Sequence, residues 1–509
     1  MKATLLALAA AIAIGGCVPF PTPEGRTVSS VQRDTADTRL GRAVAPRVEA
    51  HAGESGVFAL SDGRDAFAAR ALLAAAAERT LDVQYYIWHD DLSGTLLLDA
   101  LLRAAERGVR VRLLLDDNNT AGLDGLLAAL DRHPNIELRL FNPFPNRRWR
   151  WLGYLADFSR LNRRMHNKSF TADNQVTIVG GRNVGDEYFG AGQELLFVDL
   201  DIMAIGPVVD EVSSDFDRYW TSASAWPVGR IVGEGYEPDA GELAARAARA
   251  GLDPAAAGYV RAVAQQPFMR ELLEGTLDLE WAPAHLVSDD PAKGLGRASA
   301  DAMLPGRLYE LLGHPQRELE LVSPYFVPAT AGTDALARMS EQGVRVRILT
   351  NSQEATDVAV VHAGYAKRRE PLLEAGVELF EMKGGFAPAD VRARGLAGSS
   401  ASSLHAKTFS VDRSRVFVGS FNFDPRSALL NTEMGIVVES PVLAGRIADV
   451  FDRQVPLLAY EVRLDRRGGL RWIERTGESR IVHDDEPHTS LARRLGVWLL
   501  SLLPIEWLL

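Results

Sequence analysis

The sequence predicts an α/β fold built twice, as two pseudo-symmetric lobes, each a mixed β-sheet flanked by helices. Three observations carry this reading. Strand and helix periodicities alternate along the body of the chain. The order strand, helix, glycine, strand over 81–115 returns over 319–350, with Gly-Val-Arg-Val-Arg at 108–112 and again at 343–347, an offset of 235. Two polar motifs repeat in the same way: His166, Lys168 and Asp173 are answered by His405, Lys407 and Asp412 at an offset of 239.

Composition bounds the rest. A chain of 509 residues, 47% hydrophobic and 24% charged, is too long for one core and too apolar to be disordered. A net charge of −11 argues against a wholesale electrostatic grip on nucleic acid and leaves only a local cationic patch. With Cys17 as the single cysteine, an internal disulfide, a cysteine-ligated zinc and an iron–sulfur cluster are excluded.

The elements follow in order. Met1-Lys2, an apolar run to Ile14 that is short for a bilayer, and Gly15-Gly16-Cys17 read as a signal peptide over 1–16. The stretch resembles a bacterial lipobox, which would make Cys17 the lipidated first residue of a membrane-anchored, periplasmic protein; the alternative is an ordinary secretion signal or short anchor. Residues 17–50, with Pro19, Pro21 and Pro23, read as a tether. A first lobe over 51–220 opens with a strand at 81–87, a helix from Thr95 to Arg107 closed by Gly108, and a strand at 109–115. The Ala-rich stretch 221–315 has no counterpart and reads as a helical insertion or crossover that shapes substrate access. A second lobe over 316–460 repeats the first, and a tail over 461–509 ends in an apolar segment broken by Pro504 and Glu506, too short to span a membrane, that is either core or interfacial.

The chemistry lies in the matched motifs. In each, His and Lys stand two apart on a strand and share a face. Asp173-Asn174 and Asp412-Arg413 read as hairpin turns that bring Gly180-Gly181 and Gly419-Ser420 back opposite the histidines. Lys168 and Lys407 neutralise a phosphate, Asn183 and Asn422 donate amide hydrogens to it, and the two histidines divide acid and base work on a phosphodiester. Glu194 and Glu433, each 28 residues past its histidine, are the carboxylates that orient the imidazoles through Nδ1. Asp173 and Asp412 either pack the turns or act on the site. Of the unmatched histidines, His89 beside Asp90-Asp91 and His362 near Tyr365 are expected at the surface or behind the pocket, with lining the pocket as the alternative. No metal-ligand cluster stands out, so neither a metal nor any other cofactor is expected.

Two H-x-K-x-x-x-x-D motifs, each followed by G-[GS]-x-N, resemble the phospholipase D superfamily. Gln84-Tyr85-Tyr86-Ile87-Trp88, Leu115-Asp116-Asp117-Asn118-Asn119, Gly419-Ser420-Phe421-Asn422-Phe423-Asp424-Pro425 and the ending Leu503-Pro504-Ile505-Glu506-Trp507 are similar to bacterial cardiolipin synthases of the C type. The resemblance implies a phospholipase D-like fold with one active site shared by both lobes and a metal-free phosphatidyl transferase acting on phospholipid at a membrane surface. It also implies His166 as nucleophile, His405 as general acid, and a phosphatidyl-histidine intermediate. Hydrolysis to phosphatidic acid, and a nuclease or other phosphodiesterase, are the competing activities. Arg147, Arg148, Arg150, Arg163 and Arg164, interleaved with Phe144, Trp149, Trp151 and Tyr154, suit either a single-strand groove or an interface with anionic lipid.

Overall fold

The computed structural model describes residues 26–191, 196–233, 240–252, 259–261, 266–384, 402–477 and 479–509. The expected signal peptide, Cys17 and the start of the tether lie outside them, as does Glu194. In the first half the strands are β1 (Ser55–Leu60), β2 (Thr80–Ile87), β3 (Arg110–Asn119), β4 (Ile136–Phe141), β5 (Ser169–Ala172), β6 (Val176–Gly180), β7 (Leu196–Val198), β8 (Asp201–Ile205), β9 (Ala225–Pro227) and β10 (Glu280–Ala282). They are followed by β11 (Ala284–Ser288), β12 (Glu318–Val322), β13 (Arg345–Asn351), β14 (Glu378–Met382), β15 (Ser402–Leu404), β16 (Thr408–Val411), β17 (Arg415–Gly419), β18 (Met434–Val438), β19 (Ala459–Leu464), β20 (Leu470–Thr476) and β21 (Ser479–His483).

The first sheet runs β10-β1-β8-β6-β5-β2-β3-β4-β9 and the second β11-β18-β17-β16-β12-β13-β14-β19-β20-β21. Each has a parallel centre, β2-β3-β4 or β12-β13-β14, beside an antiparallel hairpin, β5-β6 or β16-β17. The duplication read from the sequence is thus a duplication of topology.

The repeated Gly-Val-Arg-Val-Arg has a physical reason. Gly108 and Gly343 both take φ +95°, which a side chain would strain, and end the helices Leu92–Glu106 and Ala329–Glu341. Arg112 and Arg347, the last residue of each copy, are buried within the sheets and paired with an acid on the neighbouring parallel strand. Arg112 Nε lies 2.7 Å from Asp82 Oδ1 and Arg347 Nη2 2.6 Å from Glu320 Oε1. On the opposite face of the same strands Leu81, Val83, Leu319 and Leu321 enter the two main cores.

A third apolar cluster joins the lobes. Val179, Ile202 and Ala204 of the first sheet pack with Val416, Val418, Met434 and Ile436 of the second. Parallel pairing of β7 with β15 adds a backbone link across the same junction.

Three expectations are corrected. The tether does not extend to residue 50: residues 26–31 bind across the first lobe, with Arg26 donating to Ser222 O and Arg139 to Thr27 O, and Arg39–Ala50 is a helix capped by Thr38. The stretch 221–315 is not a separate insertion, because β9 and β10 are edge strands of the first sheet and β11 is the edge of the second. Nor does the tail lie outside the second lobe, since β20 and β21 extend its sheet and helix Leu491–Ser501 packs on helix Ala359–Ala366. Among the described residues no helix is long and apolar enough to cross a membrane.

Asp173 and Asp412 form turns, as expected of one of their two readings. Asp173 and Asn174 both take φ +50°, Asp412 and Arg413 both +53°, which are the left-handed values a tight hairpin needs. Asp173 accepts from the backbone N–H groups of Glu78, Arg79 and Thr80, and Asp412 from those of Gln316, Arg317 and Glu318. Each carboxylate therefore ties the hairpin to the start of the first parallel strand, at the end of its strand remote from the histidine. Neither reaches the site, so their expected place in catalysis is corrected to a structural one. Asp173→Ala leaves three N–H groups without an acceptor at a fully buried position and should cost about 2–3 kcal/mol of stability. Chemical denaturation checks this.

Candidate active site

The two motifs meet where the lobes meet. The backbone N–H of His166 donates to Thr432 O at 2.8 Å, and that of His405 to Val198 O at 2.8 Å. Each histidine is thereby stitched to a segment of the opposite lobe whose next residue is a carboxylate. His166 Nδ1 lies 2.8 Å from Glu433 Oε2, and His405 Nδ1 lies 2.6 Å from Asp199 Oδ2. The orienting pairs are crossed, so each half completes the other's histidine.

Glu433 is held on both sides. Ser420 Oγ donates to the same Oε2 at 2.5 Å, and the Glu433 backbone N–H donates to Asp289 Oδ2 at 2.8 Å, a carboxylate also paired with Lys293 at 2.8 Å. In the other half Leu404, just before His405, is clamped by Asn351, which accepts its N–H at 2.9 Å and donates to its carbonyl at 3.0 Å. Tyr86 stands edge-on to His166 with ring centroids 4.9 Å apart, and Tyr188 edge-on to His405 at 5.2 Å.

The lysines accompany their histidines. Lys168 Nζ donates to His166 O at 2.6 Å, and Lys407 Nζ lies 3.0 Å from His405 Nδ1. Both lysines are 1% exposed and the histidines 7% and 5%, so several ionisable groups share one dry volume. Burial pushes Lys168 down to about 7 and Lys407 to about 8. Burial and both lysines hold His166 well below its ordinary value, and burial and Lys407 take His405 down to about 4 against the pull of Asp199. The two carboxylates differ: burial raises Glu433 to about 7 despite Lys168, whereas His405, Lys407 and Arg182 overcome burial and keep Asp199 well below the usual carboxylate range. His405 is therefore backed by a firmly ionised carboxylate and His166 by a partly neutral one. Cations that burial drives toward neutrality constitute a site that an anion between them would stabilise.

Other expected residues behave differently. Asn422 is buried with its amide oxygen unpaired, but the Asn183 amide is engaged, accepting from Ile87 N–H at 3.2 Å and donating to Tyr188 Oη at 3.0 Å. Its first duty is to position Tyr188. His362 is buried against Arg369 and Glu486 and does not line the site. His89 lies 3.2 Å from Glu187, and His89, Asp91 and Glu187 bring three potential ligand atoms within 4.8 Å of one another, a cluster not seen in the sequence. Asp91 is already engaged there as the cap of helix Leu92–Glu106 and as acceptor for Asp186 N–H.

The sequence places Ser420 opposite a histidine but gives it no bond to a carboxylate, and Asp199, Asp289 and Asn351 carry no sequence signal of a place in the site. The offset between equivalent positions is 239 at Gly180 and Gly419 but 234 at Asp201 and Gly435, their respective strand partners. A five-residue difference in the connecting loop makes Asp199, not Glu194, the counterpart of Glu433. Asp199→Asn should lower kcat by about 10⁴-fold, the loss known for turning the carboxylate behind a serine protease's histidine into an amide. Glu433→Gln should cost less, because its carboxyl is already partly neutral. The ratio of the two kcat values checks the asymmetry.

The chain matches the family model for the cardiolipin synthase, PLD-like domain twice, over residues 70–220 and 308–455. It is 55% identical to cardiolipin synthase C of Escherichia coli (strain K12) over 474 residues, covering 92% of this chain and all of the relative. It is 27% identical to cardiolipin synthase A of Pseudomonas entomophila (strain L48), over 79% of this chain and 70% of that one. The crystal structure of phosphatidylserine synthase from Haemophilus influenzae Rd KW20 shares the fold, with a TM-score of 0.57 at 14% identity over 93% of this chain and 100% of that chain. With two copies of the domain spanning both lobes, the chain belongs to the phospholipase D-like cardiolipin synthase family.

Proposed function

We propose that this protein synthesises cardiolipin, transferring a phosphatidyl group through a phosphatidyl-histidine intermediate to the glycerol headgroup of phosphatidylglycerol. The observation that carries the mechanism is the crossed pair of buried histidines, each with its own carboxylate and lysine. His166 is the nucleophile: burial and the two lysines keep its imidazole neutral, and its Nδ1 bond to Glu433 directs Nε2 to phosphorus. His405, backed by ionised Asp199, protonates the departing headgroup oxygen, then removes the proton from the acceptor hydroxyl that displaces His166. The negative phosphodiester raises His405 when it binds, so that the imidazole takes up from water the proton it then gives to the headgroup oxygen. Lys168, Lys407 and Asn422 bind the non-bridging oxygens. The donor is phosphatidylethanolamine or a second phosphatidylglycerol.

The surface supports work at a membrane. Trp149, Trp151, Leu155 and Phe158 are exposed on and beside helix Arg150–Leu161, and Leu495, Trp498, Leu499 and Trp507 at the chain's end. Tryptophan at head-group depth beside leucine is the pattern of an interfacial contact. With Cys17 lipidated, such a surface would hold the protein on the periplasmic face.

Three of the five arginines weigh against a nucleic-acid groove. Arg164 is buried on Asp116 at 2.8 Å, Arg147 is paired with Asp117 and Asp124, and Arg150 with Asp124 at 3.2 Å. Cations neutralised within the fold release no counterions from a phosphate backbone.

In vesicles with labelled donor and increasing phosphatidylglycerol, cardiolipin should be the main product, and His166→Ala and His405→Ala should each retain less than a tenth of the activity. Phosphatidic acid dominating at every composition would identify a phospholipase, and comparable cleavage of single-stranded DNA a nuclease. The pH profile of kcat, which reports the substrate-bound enzyme, should be bell-shaped: its acid limb lies below about 6.5, the ordinary histidine value, because His166 must be neutral, and its basic limb marks loss of the proton from His405, held there by the bound phosphodiester.

A further inference from the structure

The second lobe holds a pocket of about 760 Å³, open to solvent on one side, between its sheet and the helices Leu304–Leu312 and Ala329–Glu341. That lies within the ~300–1,000 Å³ of small-molecule sites. The wall is apolar, with Leu308 and Leu312 on one side and Leu321 and Phe409 of the sheet on the other. Its charged residues are spoken for: Lys367 pairs with Glu506 at 3.0 Å, and Asp424 accepts from Ser427 N–H at 2.6 Å.

Two features say what fits. The wall includes Phe421 and Phe423, the neighbours of Asn422, in the same stretch as Ser420, which bonds Glu433 behind His166. It also includes Leu429 and Trp507, 55% and 57% exposed, which belong to the apolar surface near the chain's end. A hydrocarbon-lined volume whose wall takes in both the neighbours of a phosphate-site residue and part of an exposed apolar surface is complementary to one ligand class.

We propose that this cavity holds an acyl chain of the phospholipid whose phosphate lies between His166 and His405. The inference rests on the reading of the site as a phosphatidyl transferase, and fixes which part of the lipid the second lobe grips. It makes the second lobe the source of any discrimination among chain lengths.

The test is photolabelling of the full chain in vesicles of phosphatidylglycerol bearing a diazirine at the end of one acyl chain, with the labelled peptides identified by mass spectrometry. Label is expected within 304–312 or 421–429. Ala428→Trp and Leu312→Trp, which fill the cavity from different walls, should each lower that labelling at least 10-fold with the circular dichroism of the parent retained. Label confined to the surface around Trp151 or Trp498, or undiminished in both folded variants, would overturn the proposal. So would cavity label that appears only after residues 1–25 are removed, since that segment would then be the occupant. If neither variant folds, the map of the parent protein decides alone. Turnover of phospholipid without label in the cavity removes the acyl site and leaves the transferase; label in the cavity of a protein that turns over no phospholipid removes the transferase and leaves a lipid-binding cavity.

Discussion

The crossed bonds between histidine and carboxylate are the constraint on which the rest of the structure depends. His166 of the first lobe is oriented by Glu433 of the second, and His405 of the second by Asp199 of the first. A 2.6–2.8 Å bond tolerates displacements of only a few tenths of an ångström, so the lobes must be fixed relative to one another to that precision. The apolar cluster shared by the two sheets and the β7-β15 pairing provide that rigidity on one side. Asp289 provides it on another: lying just after β11, at the edge of the second sheet, it accepts Glu433 N–H and so fixes the carboxylate from behind. What reads in sequence as an unmatched insertion is in part the buttress of the catalytic pair.

The price of a dry site is visible in its titrating groups. Two lysines, two histidines and two carboxylates are all nearly excluded from water, and burial pulls both lysines and both histidines toward their neutral forms. Such an arrangement destabilises the empty enzyme relative to one with a phosphodiester between the lysines. It also serves the chemistry, because a covalent phosphatidyl intermediate partitions between water at about 55 M and an acceptor alcohol. Transfer prevails only where water is kept out and the alcohol is positioned, an advantage worth effective molarities of about 10⁵ M or more. The unequal carboxylates then break the symmetry of the duplication: one histidine sits beside a settled negative charge and the other does not, and a reaction that needs one base and one acid needs that inequality.

The fold class and the heart of the site were legible because duplication checks itself. A motif seen once is weak; the same residue types in register at 166 and 405, with glycines at 108 and 343, leave little else to read. The same reliance on register explains what was missed. Glu194 stands at the 239 offset from Glu433, but a loop of different length makes Asp199 the counterpart. Asp173 and Asp412 repeat in register too, yet their partners are three backbone N–H groups apiece, because repetition marks whatever both lobes need and both lobes need the hairpin anchored. Residues 26–50 looked like tether because polar sequence without periodicity carries no sign of the surface it binds, here Arg139, Trp220 and Asp217 of the first lobe.

The exposed apolar surfaces belong to the same argument as the active site. Helix Arg150–Leu161 comes from the first lobe and the chain's end from the second, and one residue holds both: Arg426 donates through Nη2 to Asn162 Oδ1 at 2.8 Å, through Nε to Leu508 O at 2.9 Å, and through its backbone N–H to Leu509 O at 2.7 Å. Asn162 closes the helical turn that follows a break at Asp157 (φ −146°), with Trp151 on the turn before it, and stands four residues before His166; Arg426 stands four residues after Asn422. The tryptophan-bearing elements of both lobes are therefore tied at the point where the chain enters the site from each side. On the proposed reading, a surface built so would transmit a shift on a bilayer to the segments that carry His166 and Asn422, and depth in the membrane would become a coordinate of the reaction geometry.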